Sequence, residues 1–245
     1  MLSPFMPTIL ALHYWAGAGH EYNALLQLLP AGTRLLAPDL PGYGQQPVPA
    51  GFDFSVASYT NWVAAYVAEQ QLDDYYLVGH SMGGKFALAL AARQPLGLRG
   101  LLLLSPSPPT PEPISPADRQ ASRDAWGKRD EAEKTFGKIT NRSLPLGVQE
   151  QVVADNLRTN QAAWEAWLDL GSKEDISALM PSLTVPCSLL VGTDDRAIPA
   201  EAQERQTRPL LPASSAFAQV PGAGHLLPYE APSEVAAAIQ ALLAR

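Results

Sequence analysis

The stretch LVGHSMGGKF, residues 77–86, decides the fold of this chain. An apolar run typical of a β-strand leads into it, and apolar residues at the three- and four-residue spacing of a helix follow it. Between them, Gly79-x-Ser81-x-Gly83 predicts a turn so tight that larger side chains at the two glycine positions would collide with the neighbouring strand and helix. We therefore expect Ser81 at a strained strand-to-helix turn, with its hydroxyl protruding at the top of a sheet.

Five further apolar runs of strand length lie along the chain, and helical patterns separate them. Their near-continuous apolar character is typical of strands that helices bury on both faces. The alternation of strand and helix predicts a mainly parallel, doubly wound α/β sheet. The predicted strands are residues 8–15, 34–40, 75–81, 98–105, 186–195 and 216–224, and the predicted helices are residues 21–29, 55–71, 83–94 and 232–245.

A proline-rich segment interrupts this alternation. Six prolines lie between residues 106 and 116, and a helical stretch over residues 116–180 follows without a convincing strand. Because this stretch follows the strand that ends at Ser105, we expect it to cover the C-terminal edge of the sheet, where ligands bind in open α/β sheets. The sequence therefore predicts a core of residues 1–107 and 181–245 and a helical cap of residues 108–180.

The predicted cap contains three tryptophans, Trp126, Trp164 and Trp167. Aromatic side chains are common in the walls of hydrophobic substrate pockets. They equally pack a cap onto its core, and we favour that role for at least half of the aromatic residues there. The three tryptophans are candidates for pocket residues on this basis.

Composition and charge exclude several classes of function. The chain has 245 residues, of which 47% are hydrophobic, and this length supports a large core without metals or disulfides. The net charge of −7 and the lack of any run of Lys or Arg argue against a nucleic-acid partner. No apolar run approaches the roughly 20 residues that cross a bilayer, and no basic segment of a signal peptide precedes the first apolar run. Cys187 is the single cysteine, so no intramolecular disulfide is possible, and we expect a cytoplasmic protein. We expect no membrane partner, and the sequence does not define the oligomeric state.

A serine hydroxyl becomes a good nucleophile when a base takes its proton, and the chain offers four histidines as bases. His225 follows PGAG after the last predicted strand, in a loop able to reach across the sheet, and is the preferred base. His80 adjoins Ser81 but points away from it, and His20 lies in a glycine-rich loop; both are candidates for pocket residues. His13 is assigned to loop structure.

The base in turn needs a carboxylate to orient it. In the chain order serine, acid, histidine, this acid follows a core strand. The strand at residues 98–104 ends without an acid, whereas Asp194 and Asp195 follow the strand at residues 186–192. From the residues alone both aspartates stay candidates, and the other one is then a turn or cap residue.

Five stretches of the sequence resemble, in the same order, motifs of the α/β-hydrolase family of cofactor-free serine enzymes. Its acidic motif, G-x-x-D-x-x-x-P, matches Asp195 rather than Asp194. The resemblance therefore implies a triad of Ser81, Asp195 and His225, with no metal or organic cofactor. The matching stretches are LHYWAGAG (12–19), APDLPGYGQQ (37–46), GHSMGG (79–84), GTDDRAIP (192–199) and GAGHLLPYEAP (222–232).

Two features depart from the family pattern. Tyr14 stands where the family usually has a glycine in the loop that holds the oxyanion. The two N-terminal strands usual in the family are largely missing, so we expect an N-terminally shortened sheet of about six strands. By the resemblance, the backbone amides of Trp15 and Met82 form the oxyanion hole.

The resemblance implies a serine hydrolase that cleaves a small carboxylic ester, or a related acyl substrate, through an acyl-enzyme at Ser81. One alternative is a lyase with the same triad, similar to hydroxynitrile lyases or to the menaquinone-pathway enzyme that eliminates pyruvate to form SHCHC, a cyclohexadiene carboxylate. An arginine follows the elbow of that enzyme where this chain has Lys85, which either meets a substrate carboxylate or, as we expect, faces solvent. A second alternative is a receptor-like protein that binds a ligand without turnover.

Overall fold

Six strands form the centre of the computed structural model, which describes residues 7–245. They are β1 (Thr8–Leu12), β2 (Arg34–Leu36), β3 (Tyr75–His80), β4 (Leu98–Leu104), β5 (Cys187–Gly192) and β6 (Ala216–Val220). Neighbouring strands pair in parallel in the order β2-β1-β3-β4-β5-β6, which confirms the predicted fold class. Residues 1–6, where a signal peptide is expected to be absent, lie outside the described residues.

The order of the strands places a crevice beside Ser81. The chain passes from β1 to β2 on one side and then crosses to β3 on the other side of β1. Such a reversal opens a crevice beyond the carboxyl ends of the two central strands, and ligands of open α/β sheets bind there. Ser81 follows β3 directly and therefore stands at this crevice.

Helices cover both faces of the sheet. The α-helices are α1 (Val56–Glu69), α2 (Met82–Ala91), α3 (Pro116–Ala125), α4 (Arg129–Ile139), α5 (Leu146–Arg158), α6 (Gln161–Asp169), α7 (Ala200–Gln206), α8 (Leu227–Glu230) and α9 (Pro232–Leu243). Short 3-10 helices span Gly19–Gln27, Gly171–Lys173, Ser177–Ser182 and Arg208–Leu210. None of the helices in residues 7–245 is long and apolar enough to cross a membrane.

Alternate residues of each strand enter different hydrophobic clusters. Leu10 and Leu77 pack with α1 and α2, whereas Ile9 and Val78 pack with α9 and the first 3-10 helix. All six residues of β3 are buried. The continuous apolar runs of the sequence therefore correspond to strands covered on both faces, as predicted.

Several element boundaries differ from the prediction. The strand predicted over residues 34–40 ends at Leu36, because Pro38 has no N–H to donate to a strand ladder. The helix predicted over residues 21–29 is a 3-10 helix, in which backbone bonds join residues three apart, as from Leu28 N–H to Leu25 O at 2.9 Å. The helical stretch predicted over residues 116–180 consists of four α-helices, α3 to α6, and two 3-10 helices between β4 and β5. The limits of the cap at residues 108 and 180 stay a prediction.

The first turn of α2 lies directly against the end of β1. A Cβ atom placed on Gly83 would stand 2.4 Å from the Leu12 carbonyl oxygen and 2.6 Å from that of His13. Real Cβ atoms do not approach a carbonyl oxygen so closely, so this contact requires glycine. The close approach fixes the turn after β3 relative to the loop after β1.

We expect Gly83→Ala to lower the free energy of unfolding by about 1–3 kcal/mol, because the added methyl group overpacks a rigid backbone contact. Gly137→Ala is the matched control: Gly137 lies inside α4, and a Cβ there would have no atom within 4 Å, so alanine raises stability by about 0.5–1 kcal/mol. Urea unfolding of both variants measures the difference. Equal midpoints would show that the contact at Gly83 does not constrain the fold.

Candidate active site

Ser81 occupies the strained turn that the sequence predicts. Its backbone has φ 51° and ψ −119°, a conformation that side-chain-bearing residues rarely adopt and that costs about 1–3 kcal/mol. Three backbone hydrogen bonds hold it: the Ser81 N–H donates to Leu104 O at 3.0 Å, and its carbonyl accepts from Ser107 at 2.9 Å and from Gly84 at 2.8 Å. Strand β4, the segment after it and the first turn of α2 therefore hold the Ser81 backbone in this unfavourable conformation.

His225 and Asp195 form a buried hydrogen-bonded pair. The Nδ1 atom of His225 lies 2.8 Å from Oδ2 of Asp195, while Oδ1 of Asp195 accepts from the amides of Ala197 and Ile198 at 2.8 and 2.9 Å. Asp194 is exposed and bonds the hydroxyl of Thr193 instead. Of the two acids that the sequence offers, Asp195 is the one that orients the imidazole and leaves its Nε2 atom free for proton transfer.

The pair shifts the pKa of each partner. Burial alone would lower the pKa of His225, but the charge and hydrogen bond of Asp195 outweigh it and raise that pKa above the ordinary 6.5. Burial alone would raise the pKa of Asp195, but the charge and hydrogen bond of His225 lower it below the ordinary 3.8. Asp195 therefore stabilises the imidazolium that forms when His225 accepts a proton.

Two further contacts hold the backbone of His225. The fully buried His80 donates from Nε2 to the His225 carbonyl oxygen at 2.9 Å, since a carbonyl only accepts. The Nδ1 atom of His80 lies 2.9 Å from the buried carboxylate of Glu21. On the other side, the His225 N–H donates to Ile139 O, at the end of α4, at 2.7 Å. The core and the helices after β4 thus both position the loop that carries His225.

Glu230 fastens the same loop to the segment after α4. Its buried carboxylate accepts backbone N–H groups of Asn141 and Arg142 at 2.7 and 2.8 Å. It also accepts those of Gly224 and Leu226, which flank the histidine, at 3.1 and 3.2 Å. One carboxylate therefore satisfies four backbone donors from two segments that are far apart in the sequence.

The loop after β1 has a defined shape. His13 accepts the Leu40 N–H on Nε2 at 2.9 Å, so its Nδ1 carries a proton and donates it to Tyr14 O at 2.7 Å. The Tyr14 ring lies over Gly17, where a Cβ would stand only 2.3 Å from the ring. Gly17 thus provides the space for the Tyr14 ring, at the position where the family pattern has glycine. The two hydrogen bonds of His13 hold this loop, which is the structural role expected of it.

The two amides proposed for the oxyanion hole are available. Met82 is the first residue of α2, where an N–H has no earlier helical carbonyl to bond. Within residues 7–245, no protein acceptor is bonded to the Trp15 amide. The helix N-terminus adds a favourable field for negative charge near Ser81.

Ser81 and His225 both line one cavity of about 340 Å³. The described residues contain no hydrogen bond between the Ser81 hydroxyl and His225, a contact that often tightens only when substrate binds. The wall is apolar and aromatic for the most part, and the rings of Trp164 and Trp15 pack at a tilt of 38°, with 4.2 Å between their centroids. Its remaining lining includes Trp167, Phe136, Ile139, Val152 and Leu168, and its charged members are Glu112, Asp118, Lys138 and Arg196.

The structure differs from the prediction at three candidate pocket residues. Trp164 and Trp167 line the cavity, but His20, His80 and Trp126 do not. The His20 imidazole lies 2.5 Å from Asp155 of α5, and the Trp126 indole donates to Thr159 O at 2.9 Å. His80 in turn bonds Glu21, so each of the three side chains has a polar partner outside the cavity lining. The local sequence does not reveal these partners.

Lys85 corrects a second expectation, because it is fully buried rather than solvent-facing. Its Nζ atom donates to the carbonyl oxygens of Glu174 at 2.7 Å and of Thr110 and Gly171 at 3.3 Å. Burial lowers the pKa of Lys85 to about 8. It does not line the cavity, so it ties the segments on both sides of α3 to α6 onto α2 rather than meeting a substrate.

Sequence reasoning missed Glu112 and Glu230. Glu230 lies in the stretch GAGHLLPYEAP, so an acid shortly after the candidate base was a usable signal. Glu112 is an acidic residue among prolines, and no spacing rule connects it to Ser81. Among residues 7–245, no group of three or more His, Cys, Asp or Glu side chains is arranged to hold a metal ion.

Comparisons with known proteins identify the family to which this fold belongs. The model of the alpha/beta hydrolase family matches residues 9–238, and the chain belongs to that family. A 2-succinyl-6-hydroxy-2,4-cyclohexadiene-1-carboxylate (SHCHC) synthase of Klebsiella pneumoniae is 28% identical over 82% of both chains. A pimeloyl-[acyl-carrier protein] methyl ester esterase of Aeromonas salmonicida is 35% identical over 42% of this chain and 39% of its own.

A solved structure extends the similarity over nearly the whole chain. The thermophilic esterase of Thermogutta terrifontis is 27% identical, with a TM-score of 0.81 over 98% of this chain and 90% of its own. The similarity therefore includes enzymes named for two different reactions, ester cleavage and SHCHC synthesis.

We expect Asp195→Asn to lower the pKa of His225. Removal of the charge leaves burial as the dominant influence, and burial disfavours the imidazolium. Asp194→Asn, at the exposed neighbouring position, is the matched control and leaves this pKa unchanged. NMR titration of the imidazole measures the shift. Equal pKa values in the two variants would contradict the assignment of Asp195 as the partner.

We expect Glu230→Gln to lower the free energy of unfolding by about 1–3 kcal/mol, because the amide NH₂ group replaces an acceptor and opposes a buried backbone donor. Glu234→Gln serves as the control, since Glu234 makes a surface ion pair with Arg142 that contributes about 0–1 kcal/mol. Urea denaturation compares the two. A loss in Glu230→Gln no larger than that of Glu234→Gln would show that the four-donor contact does not stabilise the loop.

Proposed function

We propose that this protein is a serine hydrolase that cleaves a small carboxylic ester, or a related acyl substrate, through an acyl-enzyme at Ser81. One observation carries the proposal: a strained serine at the start of α2 shares a cavity with a histidine that is hydrogen-bonded to a buried aspartate. The serine supplies a nucleophile, the histidine a base and the aspartate its orientation. The similarity to an esterase structure supports the same reaction class.

The reaction proceeds in two steps that use the same groups. His225 takes the proton of Ser81 as its oxygen attacks the substrate carbonyl, and then protonates the departing alcohol. Water, activated by the same imidazole, attacks the acyl-enzyme and releases the acid. Asp195 keeps the ring in the tautomer with its proton on Nδ1. The raised pKa of His225 implies that activity falls as pH drops through that value, because the protonated ring no longer accepts a proton.

Backbone amides provide the charge stabilisation. The N–H groups of Trp15 and Met82 donate to the oxygen that becomes negative when Ser81 attacks. Each such donor contributes about 10²–10³ in rate in enzymes of this kind. The close contact of Gly83 with the end of β1 keeps these two segments together, and no metal or organic cofactor takes part in the proposed reaction.

The shape and composition of the cavity support a compact, largely apolar substrate. A volume of about 340 Å³ accommodates a molecule at the small end of the range for ligand pockets. The aromatic residues of the wall favour an alkyl or aryl group. We assign the reaction to the cytoplasm, in keeping with a single, buried cysteine and the absence of disulfides.

A lyase reaction is the second candidate, because the Klebsiella relative is named a synthase of SHCHC, whose name includes a carboxylate. The charges of the cavity favour the hydrolase. Lys85, at the position of the lyase arginine, is fully occupied by three backbone carbonyls. Two acids, Glu112 and Asp118, balance the two cations of the wall, Lys138 and Arg196, so the wall has no excess positive charge for a substrate with carboxylates.

A fluorophosphonate with a neutral alkyl chain tests the proposal, because it reacts with activated serines. We expect one adduct by intact mass, lost in Ser81→Ala and kept in Ser122→Ala, which changes another serine of the cavity wall. Peptide mapping places the adduct. An absent adduct in folded wild type, or one that persists in Ser81→Ala, would contradict the proposal.

Turnover then separates the remaining alternatives. Hydrolysis of p-nitrophenyl esters by wild type but not by Ser81→Ala supports the hydrolase. A labelled serine with release of pyruvate from the SHCHC precursor and no ester hydrolysis would favour the lyase. Ligand-dependent thermal stabilisation without turnover of either substrate would favour the receptor-like protein.

A further inference from the structure

Glu112 is an acidic residue that lines the cavity shared by Ser81 and His225. It belongs to the proline-rich segment between β4 and α3, five residues beyond Ser107, whose N–H bonds the Ser81 carbonyl at 2.9 Å. The segment that carries the acid is therefore attached to the nucleophile itself. Neither the proposed nucleophile, base and acid nor the oxyanion hole uses this carboxylate.

The backbone of Glu112 is held firmly. Pro111 precedes it and Pro113 follows it, and a proline restricts both its own φ and the conformation of the residue before it. The Glu112 N–H donates to Ser172 O at 2.8 Å, and its carbonyl accepts from Ile114 at 2.8 Å. A rigid backbone fixes the side chain in the wall, which is the condition for a group that selects among substrates.

The carboxylate has no cation of its own. Among residues 7–245, no Lys, Arg or His nitrogen lies within 4.0 Å of it. Two nearby cations have other partners: Lys85 donates to three carbonyls, and Arg119 donates to the Ser172 hydroxyl at 2.8 Å. Lys138 and Arg196 line the same cavity, but within the described residues neither forms an ion pair with Glu112. A carboxylate without an ion-pair partner is available to a ligand.

The electrostatic surroundings of Glu112 compensate its charge only in part. Burial raises the pKa of Glu112, and the Ser107 hydroxyl and the charges of Lys85 and His225 offset only part of that rise. Glu112 in turn contributes to the raised pKa of His225. The two side chains therefore sense each other's charge across the cavity, and a substrate bound at Ser81 lies in the field of both.

We propose that Glu112 is a specificity-determining residue that directs the site toward esters with neutral or cationic groups and rejects esters with a carboxylate. A cationic or hydrogen-bond-donating group pairs with its carboxylate, whereas an anionic group meets a like charge in a partly buried site. The inference rests on the proposed hydrolase reaction and specifies its substrate class.

Two matched series of esters test the inference. The first contains the p-nitrophenyl esters of hexanoic acid, of adipic acid as its monoester and of ω-(trimethylammonio)hexanoic acid, which place no charge, a negative charge or a positive charge in the acyl chain. The second contains hexanoate esters of butanol, of hydroxybutyrate and of choline, which place the same charges in the alcohol. The values of kcat/KM are compared for wild type and Glu112→Gln, which is isosteric and uncharged.

In at least one series, we expect Glu112→Gln to raise the kcat/KM ratio of the anionic to the neutral ester about tenfold or more, and to lower the ratio for the cationic ester, since it removes a charge from a partly buried site. Each ratio compares esters within one variant, so a change common to all esters, such as one that acts through the pKa of His225, cancels. Far-UV circular dichroism shows that the variant folds. Asp130→Asn, an exposed change on α4, removes one negative charge from the surface and is the control. It should leave all ratios unchanged.

Failure of this inference is distinguishable from failure of the hydrolase proposal. If wild type hydrolyses the neutral esters and is labelled at Ser81, but Glu112→Gln changes neither charge ratio beyond the Asp130→Asn control, the role of Glu112 is wrong and the hydrolase stands. If folded wild type is not labelled at Ser81, both proposals are wrong.

Discussion

The contact between the first turn of α2 and the end of β1 is the constraint on which the candidate site depends. Gly83 lies so close to the carbonyl oxygens of Leu12 and His13 that a methyl group does not fit between them. The approach places the strained Ser81 and the Met82 amide beside the loop that carries the Trp15 amide. The proposed nucleophile and the two proposed donors, from separate parts of the chain, thus share one location before any substrate arrives, which is the arrangement that electrostatic catalysis requires.

The second half of the site depends on how His225 is held. Its ring is fixed by Asp195, its carbonyl oxygen by His80 and its N–H by Ile139 at the end of α4. Glu230 adds four backbone hydrogen bonds between the same loop and the segment after α4. The helices between β4 and β5 therefore form part of the cavity wall and also support the proposed base, His225. Changes in this insertion are expected to affect the base as well as the choice of substrate.

Local sequence patterns predict the parts of the site that depend on contacts between residues close together in the sequence. The ten residues around Ser81 are enough to predict the tight turn, because its neighbouring glycines are required sterically. The apolar runs predict the positions of the strands. Long-range partners were not predictable in this way: His80 contacts residue 225, and Lys85 contacts carbonyls 86 and 89 residues away. Lysine is rarely buried, so the sequence alone favours a solvent-facing Lys85, and only the tertiary structure provides the three carbonyls that make its burial possible. The family motif distinguishes Asp195 from Asp194, and the hydrogen bond between Asp195 and His225 gives this distinction a physical basis.

A covalent acyl intermediate on Ser81 distinguishes the proposed hydrolase from the lyase and receptor-like alternatives, and rapid quenching can trap it. A p-nitrophenyl ester is mixed with wild-type protein, quenched in acid after milliseconds to seconds, and the protein is digested for mass spectrometry. We expect the peptide containing Ser81 to gain the mass of the acyl group and to lose it at a rate no slower than turnover. An acyl group on a different residue, with Ser81 unmodified while the ester turns over, is incompatible with the proposed mechanism.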